Sequence, residues 1–86
     1  MLIRSQDKLK IVNLQNLDKI TVSESYSVYS FAGDNVTTLG TYSTKEKAIK
    51  VLDMICNFYT EHLEEIYNDQ EPFVRAVFQM PQDEEV

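Results

Sequence analysis

The spacing of apolar residues along this chain changes period twice. Through residue 42, apolar and aromatic side chains come in short runs between polar breaks; from 43 to 66 they recur every three or four positions, and from 73 they alternate again. A period of two marks a strand with one buried face, and a period near 3.6 marks an amphipathic helix. Runs at 2–5, 10–14, 19–24, 26–31 and 36–42 therefore predict five strands. Alternation is cleanest in 19–24, where Ile20 and Val22 fall on one side and Thr21 and Ser23 on the other. Gly33, Asp34 and Asn35 tolerate positive φ and lie between two runs, which predicts a hairpin. Gly40 within its second arm marks a bulge or a close backbone approach.

Ser43-Thr44-Lys45-Glu46 matches a capping box, with Ser43 as the cap and Glu46 reaching back, so a long helix is predicted to start there. Its apolar stripe is Ala48, Val51, Leu52, Ile55, Phe58, Tyr59, His62, Leu63 and Ile66, with Glu46, Lys50, Asp53, Asn57, Glu61 and Glu64 opposite. After a polar break at 68–72, Val74, Ala76, Phe78 and Met80 share one face of a final strand that Pro81 ends. The expected fold class is α+β: an antiparallel sheet of about five to six strands covered on one face by this single helix, because each apolar surface needs a partner. Residues 1–81 form one domain and 82–86 an acidic, frayed tail. Pairing of the final strand with the first or with an interior neighbour stays open.

Charge changes the picture more than composition does. Residues 1–60 carry seven Lys/Arg against six Asp/Glu, whereas 61–86 carry eight acids against Arg75 alone, a net of −7. That end repels phosphate, so direct nucleic-acid binding through it is not expected, and a basic protein partner is its natural complement. Glu61, Glu64 and Glu65 fall on neighbouring helix turns, and Asp69 and Glu71 extend the patch into the following loop. Lys45, Lys47 and Lys50 near the helix start, and the acids near its end, oppose the macrodipole, a pattern that suggests a docking use. With 43% hydrophobic residues a core forms without staples. No leader-like apolar segment or run of roughly 18 apolar residues occurs, and the single Cys56 suits a reducing compartment. A cytoplasmic protein without membrane contact is expected.

Catalytic signals are thin. His62 is the only histidine, and Cys56 lies six positions from it, off its helix face, so neither a zinc site nor a thiol–imidazole pair assembles. Two glycines make no phosphate loop, and no Gly-x-Ser-x-Gly elbow occurs. No enzyme, cofactor or metal is expected. Tyr26, Tyr29 and Tyr42 on the predicted hairpin are the alternative candidate: a stacking surface for a nucleotide-like ligand, set against a plainer role in core and cross-strand packing.

Residues 3–8 (Ile-Arg-Ser-Gln-Asp-Lys), Leu39-Gly40-x-Tyr42, Ala48-x-x-Val51-Leu52-Asp53-x-Ile55 and Phe78-x-Met80-Pro81 give the chain a resemblance to small, uncharacterised proteins associated with phages and prophages of Gram-positive bacteria. The resemblance implies a mobile-element origin and carries over no activity or site residue. Together with the acidic segment it leads to the expectation of a non-enzymatic accessory protein that binds a host or phage protein stoichiometrically, as an inhibitor acting through its acidic face. The uncharged arm 36–42 offers a strand edge, so a homodimer is also expected.

Overall fold

The computed structural model describes residues 1–63 and 76–86. It shows an α+β fold, and it corrects the single large sheet: the strands form two three-stranded sheets. One contains β1 (Leu2–Arg4), β2 (Ile11–Asn13) and the final strand β6 (Val77–Gln79), in the order β2-β1-β6. The other is the meander β3 (Lys19–Val22), β4 (Ser27–Ala32) and β5 (Asn35–Thr41). The break has a local cause. The Asn13 side chain accepts from Gln15 N–H and caps a 3-10 turn over Leu14–Asn16, which redirects the chain before β3 can continue beside β2. β6 pairs with β1 in parallel, Ile3 opposite Phe78, which answers the open pairing. The two sheets meet at Gln6, whose N–H donates to Leu39 O at 2.7 Å.

The hairpin forms as predicted, closed by Gly33 at φ 61°. Its register shifts by one residue between Val28–Gly40 and Tyr29–Thr38, leaving Leu39 as the extra residue. This bulge lets consecutive Leu39 and Gly40 both be buried, which strict alternation forbids. Gly40 has no room for a side chain: a Cβ there would stand 2.9 Å from the Tyr42 hydroxyl. The predicted strand edge of β5 is also shorter than the sequence suggests. Gln6 occupies its end, donating to Leu39 O and Thr41 O and accepting from Thr41 N–H.

Helix α1 spans Lys45–Glu61. Its cap is Thr44, which accepts from Lys47 N–H at 3.1 Å, so the predicted capping box is displaced by one residue and Glu46 is not its partner. Ser43 instead donates its N–H to Asp83. Ala48, Val51 and Ile55 are buried, while Leu52, Phe58 and Tyr59 flank them half-buried. This face meets Val28 and Leu39 from one sheet and Ile3, Ala76, Phe78 and Met80 from the other in one core, where the Phe58 ring meets the Phe78 ring edge-on. Ile20 and Val22 pack against that core, as their alternation requires.

The chain end does not fray. Asp83–Glu85 form a 3-10 turn, Val86 packs on the core, Gln82 Nε2 donates to Gln6 O, and Asp83 holds Ser43 N–H and Lys47. Fraying follows from composition when nothing ties a tail down, and these long-range bonds tie it.

Candidate functional site

Between the second half of α1 and the 3-10 turn leading into β3 lies a cleft of about 700 Å³. Its floor is buried Met1 and Ile55, and its walls are Leu14, Leu17, Ile20, Leu52 and Tyr59. One helix face supplies both core and cleft: Leu52, Cys56 and Tyr59 lie at spacings of three and four, on one margin of the stripe that buries Val51 and Ile55. The turn after Asn13 then carries Leu14 and Leu17 across from that margin.

Charge among the cleft's lining residues is limited to two side chains and the Met1 α-amino group, whose pKa burial lowers. Two charged residues, Asp18 and Lys19, stand at its rim, and both are engaged elsewhere. The Asp18 carboxylate accepts from Gly33 N–H at 2.8 Å, and the Lys19 ammonium lies 4.8 Å from the centre of the Phe31 ring. Polar groups at the margin are Gln15, Cys56 and Thr60, and the Thr60 hydroxyl is bonded back to Cys56 O within the helix. Such a surface suits a neutral apolar occupant better than a charged one.

Reactive groups are not assembled here. Cys56 is exposed and stands at the cleft margin. His62 is turned away: six positions further along the helix, it stacks on Phe58 with ring centroids 4.0 Å apart, and its Nδ1 is bonded to Phe58 O at 2.8 Å. Among the described residues no group of three or more His, Cys, Asp or Glu is placed to hold a metal ion.

The aromatic candidates are not brought together. Tyr42 is 3% exposed, and its hydroxyl donates to Pro81 O at 2.8 Å, so its ring belongs to the core and offers no stacking face. Burial, with Asp83 and Glu85 nearby, pushes the Tyr42 phenol up to about 12. Tyr29 meets Phe31 edge-on, on the opposite side of β4 from buried Val28 and Ser30. Tyr26 sits in the β3–β4 turn at φ 64°.

Of the acidic candidates, Glu64, Glu65, Asp69 and Glu71 lie outside the described residues. Glu61 is exposed, nine positions after Leu52 and thus on the opposite side of α1 from the cleft. Asp83 is spent internally, with Lys47 Nζ 3.4 Å from its Oδ2. The Ser43 N–H, more than Lys47, holds the Asp83 carboxyl below its usual range. The charge mismatch at the start of α1 is thereby answered by a carboxylate from the tail.

Leu14, Leu17 and Ile20 are the site residues that sequence reasoning missed, and it gave Leu52 and Tyr59 to the core. The available signal was the width of the helical stripe, which exceeds what one packing face needs. Among the described residues no helix is long and apolar enough to cross a membrane. Comparison with family models, curated proteins and solved structures finds no match to this chain.

Proposed function

We propose that this protein is a non-enzymatic binding module that takes a neutral, apolar segment of a protein partner into the cleft beside α1. The observation that carries the reading is the lining: five half-buried apolar residues around an opening whose rim charges are turned onto Gly33 and Phe31. Glu61 faces the other way, on the side of α1 that also carries Lys50, so it serves solubility or orients the approach of a partner with a basic flank. Action is stoichiometric, and in the mobile-element setting implied by the sequence resemblance it takes the form of inhibition of a host or phage protein.

The test is affinity capture from extract with the intact protein, Leu52→Arg and Glu61→Lys, each verified by circular dichroism. Leu52 is half-buried, so the arginine stem lies along the wall while its charge enters the cleft. A partner captured by the intact protein and by Glu61→Lys but lost with Leu52→Arg supports the proposal. Loss with Glu61→Lys alone moves binding to the acidic face. A small molecule released on denaturation, with no protein captured, replaces this reading with ligand binding.

A further inference from the structure

The loop joining β1 to β2, at the opposite end of that strand pair from Met1 and Leu14, holds the most solvent-exposed large apolar side chain described. Leu9 is 83% exposed, and Ile11 beside it is 60% exposed. A leucine so placed usually lies on a loose turn, yet this turn is braced. Ser5, itself 1% exposed, donates its hydroxyl to Asp7 Oδ1 and accepts from Lys10 N–H. The same Asp7 oxygen accepts from Leu9 N–H at 2.9 Å. Backbone bonds from Ser5 N–H to Lys10 O and from Lys8 N–H to Ser5 O close the ring. Lys8 adopts φ 66°, a left-handed conformation costly for a residue with a side chain. A buried hydroxyl and a strained residue thus hold a leucine outward, and strain of this kind is kept where the surroundings impose it.

Across residues 4–11 three cations stand against one acid. Arg4, Lys8 and Lys10 are exposed, and the only ion pair among the described residues is Lys47–Asp83; Arg4 Nε donates to Lys8 O at 3.3 Å, and Lys10 acts on Asp7 through space. Asp7 is the single acid of the loop, and its charge is answered by the Ser5 hydroxyl and Leu9 N–H and, to a lesser degree, by Lys10, which hold its carboxyl below the usual range. On a chain of net charge −6, this loop is a local basic site with an apolar centre.

We infer that the β1–β2 loop is a preorganised docking knob for an acidic, amphipathic segment of a partner protein, with apolar residues meeting Leu9 and Ile11 and carboxylates meeting Arg4, Lys8 and Lys10. This surface is separate from the cleft. Because the loop is already ordered, little conformational entropy is lost on binding.

The experiment is an NMR titration of the isotopically labelled full chain with a synthetic amphipathic peptide bearing a leucine stripe flanked by glutamates. Controls are the same peptide with lysines for glutamates, and vesicles of phosphatidylglycerol. The expected result is shifts confined to residues 4–11 and an affinity that falls at least tenfold from 50 to 500 mM salt. Leu9→Ser and the double variant Lys8→Glu/Lys10→Glu should each weaken binding at least tenfold with the remaining spectrum unchanged, whereas Leu52→Arg leaves it intact. That last arm separates this site from the cleft. Equal binding of the lysine peptide, shifts centred on the cleft, no binding, or response to vesicles alone overturns the inference.

Discussion

Removing one oxygen from the core tests how the chain end is held. In Tyr42→Phe the ring keeps its packing and only the hydroxyl is lost from Pro81 O. That carbonyl keeps a second donor, Gln6 Nε2 at 3.2 Å, so no buried acceptor is stranded. The cost is then that of a single satisfied hydrogen bond, about 1 kcal/mol. For a domain of this size that lowers Tm by roughly 4–8 °C near neutral pH. Alkali reverses the comparison. The phenol titrates near 12 in the folded chain and near its ordinary 10 when unfolded. A raised folded-state pKa means the folded state favours the neutral phenol, so its stabilisation is complete below pH 10 and disappears as pH rises through 12. Phenylalanine has no such titration. Urea unfolding of both proteins at intervals from pH 7 to 12 should show wild type more stable below pH 10, the two curves crossing above it, and wild type the less stable by pH 12. Parallel profiles over the whole range would refute a buried Tyr42 hydroxyl, and an unchanged stability at pH 7 would refute its bond to Pro81.

The two margins of α1 should separate by stability. Ile55→Ala, at 6% exposure, should cost about 2–5 kcal/mol through lost burial and a residual cavity, whereas half-buried Leu52→Ala at the cleft should cost distinctly less; equal losses in denaturant melts would show that the cleft is closed in solution. Tyr26 holds the left-handed position of the β3–β4 turn, where a non-glycine residue is costly by about 1–2 kcal/mol, so Tyr26→Gly should raise or preserve Tm despite the entropy glycine adds to the unfolded chain. A marked fall in Tm would mean that the Tyr26 ring contributes packing that outweighs the strain.

What the residues alone determined is the local chemistry. Alternation in 19–24 placed Ile20 and Val22 inward, the three- and four-residue spacing placed Ala48, Val51 and Ile55 in the core, and Gly33-Asp34 set the hairpin turn, because each depends on neighbours within one or two turns of chain. The division into two sheets, the parallel pairing of β6 with β1, and the docking of the last five residues depend on contacts between positions some 40 to 76 apart, such as Asp83 with Ser43 and Gln82 with Gln6. No local pattern encodes these, since any exposed strand edge or free amide offers the same chemistry to many partners. The candidate sites divide in the same way. Leu52 and Tyr59 were visible as apolar, but only tertiary packing decided that they border an opening instead of filling the core, since the helix lies across two sheets that one apolar face does not fully cover. Tyr42 shows the converse: its sequence position left a stacking face and core packing both open, and burial with its hydroxyl bonded to Pro81 made it a structural post.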